Sequence, residues 1–160
     1  METKPYKLLF VCLGNICRSP SAEGIMNHLL EQRQLTNQIE CDSAGTSSYH
    51  IGSSPDSRMT AAAKRQGIRL SGRSRQFVLE DFDQFDLILA MDKSNYQDIL
   101  RLDRQGQYGD RVRLMCHYCR HHSDDEVPDP YYGGEAGFNY VIDLLQDACE
   151  GLLDEVLKKI

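Results

Sequence analysis

The run Lys7-Leu8-Leu9-Phe10-Val11 constrains the fold more than any other stretch of this chain. Its apolar residues follow one another without the alternation of a half-solvated strand, so both faces must be covered, as in a parallel sheet packed between helices. A helix pattern follows. From 21 to 34 the residues Ala22, Ile25, Met26, Leu29 and Leu30 recur at amphipathic three-and-four spacing.

The same two signals repeat along the chain. Residues 39–44 form a second strand candidate closed by Gly45, residues 86–91 read like the first strand, and residues 112–115 give the last. Helices are expected over 56–65, beginning just after Pro55 and stopped by Gly67, and over 93–102. A long final helix carries the stripe Phe138, Val141, Ile142, Leu144, Leu145, Ala148, Leu152, Leu153, Val156 and Leu157, with Lys158 and Lys159 complementing its C-terminal dipole. The alternation predicts an α/β single-domain, doubly wound sheet of about four parallel strands with helices on both faces. Its ligand crevice should lie at the carboxyl ends of the strands.

With 160 residues, one domain over 1–160 is the expected size. The 24 acidic residues outnumber the 18 basic ones, for a net charge of −6. No overall positive field exists to draw the chain onto nucleic acid or anionic lipid, so an anionic ligand must be held locally. No apolar run approaches the roughly 20 residues that membrane insertion needs. The N-terminal residues lack a cationic segment and cleavage site, so a cytoplasmic protein is expected, with its six cysteines as thiols rather than disulfides.

The first strand runs into Cys12-Leu13-Gly14-Asn15-Ile16-Cys17-Arg18-Ser19-Pro20. A loop of this kind entering a helix can turn the N–H groups of Leu13, Gly14, Asn15, Ile16 and Cys17 inward as an anion nest, and the helix N-terminus adds positive potential. Gly14 and Asn15 tolerate the positive φ such a ring needs. Closure places the Cys12 thiol and the Arg18 guanidinium about one tetrahedral oxyanion. The thiolate is the nucleophilic form, and a helix N-terminus with a nearby cation favours it. Arg18 supplies planar paired donors matched to two phosphate oxygens. Ser19 is placed to donate to the thiolate. Cys17 either packs beneath the loop or captures oxidised Cys12 as a disulfide.

Attack on a phosphoester also needs a proton donor for the departing oxygen. Asp129 stands between Pro128 and Pro130, which stiffen the backbone, whereas Asp124, Asp125 and Glu126 lack such bracing. Tyr131 and Tyr132 follow as an aromatic wall. The segment Cys116-His117-Tyr118-Cys119-Arg120-His121-His122 holds zinc-type ligands but no second ligand pair at structural-zinc spacing, so it reads as a strand end and a solvated basic loop. Cys41 and Cys149 read as core, and His28 and His50 carry no distinguishing context.

Val11 to Pro20, together with Asp129-Pro130-Tyr131-Tyr132-Gly133, resembles the low-molecular-weight protein tyrosine phosphatase family. Asp42-Ser43-Ala44-Gly45 and Ala90-Met91-Asp92-Lys93-Ser94-Asn95 extend the likeness over essentially the whole chain. The resemblance implies Cys12 as nucleophile, Arg18 as phosphate binder and Asp129 as general acid. It implies further that Asn15, hydrogen-bonded to Ser43, holds the loop's strained shape, that Ser19 tunes the thiolate, and that Asp92 orients Arg18. Leu13, Ile16, Tyr49, Tyr131 and Tyr132 would line the cleft about the substrate ring. It implies no cofactor and no metal, tyrosine-phosphorylated proteins as substrates, and a tyrosine kinase as a candidate partner. Two positions depart: animal members often carry tryptophan where Tyr49 stands and histidine about where Gly72 stands.

Two other functions fit the same loop. An arsenate reductase would need two further cysteines, but residues 80–91, where the pair is expected, include Phe82, Asp83, Leu89 and Ala90, leaving Cys116 and Cys119 as substitutes. A phosphotyrosine-binding module without turnover would have no need of both Cys12 and Asp129.

Overall fold

The computed structural model describes residues 4–160. Strand β1 (Tyr6–Cys12) lies inside a four-stranded sheet between β2 (Ile39–Gly45) on one side and β3 (Leu87–Ala90) on the other, with β4 (Val112–Leu114) outside β3. All three pairings are parallel, and the register sets Cys12 beside Gly45 and Val11 beside both Ala44 and Ala90. The carboxyl ends of β1, β2 and β3 therefore finish together.

Alternate side chains of a strand face opposite sides. Leu8 and Phe10 join the core formed with α1 (Arg18–Gln32), α2 (Ser57–Arg65) and α5 (Glu135–Leu157). Leu9 and Val11 join a second core with Phe82 of α3 (Asp81–Gln84) and Ile99 of α4 (Lys93–Leu102). Both faces are buried, which is why the β1 run never alternates. Among the described residues no helix is long and apolar enough to cross a membrane.

Helix α1 begins at Arg18, three residues before the expected start. Pro20 sits in its first turn, where a missing N–H breaks no intrahelical bond, so proline marks the helix interior here rather than its threshold. Its other end closes at Gln34, which adopts φ 58. There Leu35 N–H donates to Leu30 O at 2.8 Å and Gln34 N–H to Glu31 O at 3.3 Å, satisfying the last carbonyls. Gly67, at φ 76, ends α2 in the same manner. Helix α2 opens on Asp56, whose carboxylate accepts from Arg58 and Met59 N–H at 2.8 and 3.3 Å. Helix α3 was not foreshadowed by periodicity, being only a single turn. Residues 68–80 before it are irregular and reach the sheet through one bridge, Gly45 to Gln76.

Candidate active site

Residues 12–18 turn from the end of β1 into α1. Asn15 alone takes the left-handed conformation, at φ 56. That turns its N–H onto Cys12 Sγ at 3.2 Å. Its side chain locks the turn from behind: Nδ2 donates to Ser19 Oγ at 2.8 Å, and Oδ1 accepts from Arg75 N–H at 3.0 Å. Ser19 Oγ lies 3.0 Å from Cys12 Sγ and 3.4 Å from Ala44 O. Since Asn15 already donates to that hydroxyl, its own proton is free, and sulfur is the nearer acceptor.

Gly14 is not in the positive-φ region expected for it. A Cβ there would stand 2.9 Å from His50 Cδ2, so the His50 ring would have to shift. The tighter approach is at Gly45, where a Cβ would meet Leu13 O at 2.8 Å and Asn15 N at 3.2 Å. The end of β2 is thus pressed against the loop backbone, and only glycine allows it.

Arg18 is buried. Its Nη1 donates to Asp92 Oδ2 at 2.6 Å and to Val127 O at 3.0 Å, and its Nη2 stands 3.7 Å from Asp129 Oδ2. Burial alone would pull the guanidinium down, but the facing charges of Cys12, Asp92 and Asp129, with the Asp92 hydrogen bond, hold it above its ordinary value. Asp92 divides its carboxylate: Oδ1 caps α4 by accepting Asn95 N–H at 2.7 Å while Oδ2 holds Arg18. The resemblance implies that Asp92 orients Arg18, and the capping bond to Asn95 fixes the carboxylate that Arg18 meets.

The acid loop is tied to the same frame. Val127 is fully buried, its N–H donates to Met91 O at 2.8 Å, and Glu126 accepts Lys93 N–H at 2.7 Å. Two residues on, Asp129 is partly exposed at the cleft mouth and accepts Tyr131 N–H at 3.1 Å. The cleft has a volume of about 370 Å³ and includes Cys12, Leu13, Gly14, Ile16, Cys17 and Arg18. Asp129, Tyr49, Tyr131 and Tyr132 form its remaining expected wall, while Asn15 stands behind the loop rather than in the lining. Burial pushes the Cys17 thiol up to about 12.

The expected bond between Asn15 and Ser43 is not formed. Ser43 Oγ donates instead to Glu23 Oε1 at 2.6 Å, and burial raises that carboxyl. Asn15 Nδ2 and Oδ1 are instead engaged by Ser19 and Arg75. Gly72 stands at φ 88 beside a small cavity of about 60 Å³ shared with Asn15, Glu23 and Ser43.

Sequence reasoning missed Ser47 and His50, which line the cleft, and Ser74, whose hydroxyl donates to Gly14 O at 2.9 Å. His50 packs edge-on to Tyr49 with ring centroids 4.8 Å apart. It missed Arg75 too, which besides holding Asn15 pairs with Asp42 and Asp81. No periodicity marks residues 71–76, so no sequence signal announced them. Among the described residues no group of three or more His, Cys, Asp or Glu could hold a metal ion. Cys116 and Cys119 are both pushed up by burial, Cys119 to about 11. Cys149 is core as expected, whereas Cys41 is half-buried, with its thiol on Asn27 Oδ1 at 3.0 Å.

A family model described as low molecular weight phosphotyrosine protein phosphatase matches residues 7–160. A putative low molecular weight protein-tyrosine-phosphatase of Synechocystis is 60% identical, covering 96% of this chain and 98% of its own. The human low molecular weight phosphotyrosine protein phosphatase is 37% identical over 96% of this chain and 98% of its own. Among solved structures, a protein tyrosine phosphatase from Entamoeba histolytica superposes with a TM-score of 0.93 at 48% identity, covering 96% of this chain and 98% of that one. The chain therefore belongs to the low molecular weight phosphotyrosine protein phosphatase family.

Proposed function

We propose that the protein hydrolyses phosphotyrosine in proteins, and aryl phosphate monoesters generally, through a phosphocysteine on Cys12. The observation that carries this reading is the convergence on one cleft of Cys12 Sγ, the buried Arg18 guanidinium and the Asp129 carboxyl. The phosphoryl group would sit on the loop N–H groups with Arg18 spanning two of its oxygens. Sγ attacks phosphorus, the S–P bond forms as the P–O bond to the ring breaks, and Asp129 gives its proton to the departing oxygen. Water then attacks phosphorus, Asp129 takes a proton from it, and the S–P electron pair returns to sulfur, where the Ser19 hydroxyl stabilises the thiolate. Arg18 and the loop dipoles supply the positive charge, so the reading assigns no metal. Three tyrosines about the cleft suit a flat phenolic leaving group. All six cysteines are unpaired, which fits a reducing compartment such as the cytoplasm.

The test is release of para-nitrophenol from its phosphate ester, with and without a chelator. Equal release in both supports the reading. Phosphate binding without release would replace it by a binding module, and thioredoxin-dependent reduction of arsenate would replace it by the reductase.

A further inference from the structure

Tyr131, a wall of the cleft, is not backed by the hydrophobic core alone. The Arg58 guanidinium lies between two rings, 5.3 Å from the centroid of Tyr131 and 4.7 Å from that of Phe138 on α5. It also borders a separate cavity of about 320 Å³ with Phe138 and Gly133. Arg58 thus lines that open space and also lies over the Tyr131 ring, which does not itself border the space. The hydrogen bonds within residues 129–134 are local, Tyr131 N–H to Asp129 Oδ1 at 3.1 Å and Gly133 N–H to Pro130 O at 2.9 Å, so they leave the ring's depth to its neighbours.

The orientation of Arg58 is itself fixed. Nε donates to Asp56 Oδ1 at 3.2 Å and Nη2 to Asp56 Oδ2 at 3.0 Å, a two-point grip that sets the plane of the guanidinium. Asp56 is held in turn, because its carboxylate caps α2 and its own N–H donates to Ile16 O in the phosphate loop at 2.8 Å. The contacts run without a break from the loop that would grip phosphate, through Asp56 and Arg58, to the ring that would meet the substrate's ring.

We propose that Arg58 is a positioning residue that sets the depth of the cleft for an aromatic leaving group by holding Tyr131 forward, an inference that rests on the phosphatase reading above. A planar cation is required, since a flat guanidinium can stack on two rings while its edge is gripped by a carboxylate; an ammonium cannot do both.

Arg58→Ala in the full chain should lower kcat/KM for para-nitrophenyl phosphate about 3- to 5-fold, the size of one partly exposed cation–ring contact. The loss should appear mainly in KM. The inhibition constant of inorganic phosphate, which has no ring, should not move. Arg58→Lys should behave as the alanine variant does. In a Tyr131→Ala background the same Arg58→Ala change should cost nothing further, because the residue it positions is gone. Equal weakening of ester and inorganic phosphate would mean that the phosphate loop itself was disturbed through Asp56, and it would overturn the proposal. So would a loss that persists undiminished without Tyr131, or no loss at all. A wild-type protein inert toward the ester would instead overturn the phosphatase reading beneath it.

Discussion

Two loops of this molecule use the same residue types to opposite ends. The connection from β1 to α1 holds Cys12, Cys17 and Arg18, and the connection from β4 to α5 holds Cys116, Cys119 and Arg120 with two histidines after it. What separates them is the direction in which their backbone N–H groups point. In the second loop the N–H groups of Arg120, His121 and His122 converge on the buried Asp147 carboxylate at 3.0, 3.0 and 2.9 Å. In the first, Asn15 N–H turns to sulfur, and those of Gly14, Ile16 and Cys17 meet no protein acceptor among the described residues. One loop carries its own anion; the other leaves main-chain donors unclaimed, as the proposed phosphate site requires. Reactive-looking side chains are thus a poorer guide to chemistry than where the main-chain donors go.

The first loop's side of this contrast breaks most easily at sulfur. Replacing Cys12 by Ser should cut turnover on the order of 10⁴-fold or more while inorganic phosphate still binds. Cys116→Ser should leave turnover in place, although its thiol is of the same kind. Retained hydrolysis by the Cys12 variant would remove the nucleophile assignment. Next in size, Asp129→Ala should slow phenyl ester cleavage by roughly 10² to 10⁴, and less for leaving groups that need no proton. A series of phenols of graded acidity checks this, and equal losses across the series would count against a general acid.

How far the sequence foretells all this depends on the range of the contact. The sheet was legible because burial on both faces is written in an unbroken run such as Leu8 to Val11, and α4 keeps its expected bounds, with Asp92 capping its start. That Cys12, Arg18 and Asp129 share one cleft was legible because loop chemistry and prolines are local. Asn15 was assigned the wrong partner, since Arg75 reaches it, as Ser74 reaches Gly14 beside it, from an irregular segment with no pattern of its own. The loop after β4 was expected to be solvated, and its anchoring by Asp147 is a contact from α5. Nothing in an amphipathic stripe says that one of its acids faces inward.

That acid offers the third measurement. Asp147→Ala would leave three main-chain donors and an imidazole without their acceptor, at a cost of about 2–4 kcal/mol, or roughly 5–15 °C in Tm for a chain of this size. Burial alone would raise the Asp147 carboxyl, but the N–H groups of Arg120, His121 and His122 and the His122 ring together hold it well below the ordinary range. The comparison fails if Tm is unmoved, for the second loop would then owe nothing to its resident carboxylate. Binding of inorganic phosphate should be unaffected.

The smallest effect concerns the histidine that completes the second cluster. His122 Nδ1 lies 2.8 Å from Asp147 Oδ2 and Nε2 lies 3.0 Å from Asp143 Oδ2, with the Tyr140 ring edge-on at 6.0 Å. The Asp147 hydrogen bond first, and Asp143 with it, raise the imidazole above its ordinary value of 6.5. A group whose folded value is raised adds stability in full below its unfolded value and loses it as pH rises through the folded one. The Tm difference between wild type and His122→Gln should therefore be largest below pH 6.5 and shrink as pH rises. Its size should be at most about 3 °C, because Asp143 is largely exposed and salt screens it. Asp143→Asn should take less of that difference than removal of Asp147, since only the buried partner escapes screening. A difference that instead grew with pH would mean the ring is held neutral, and the second loop would then be organised by its main-chain donors alone.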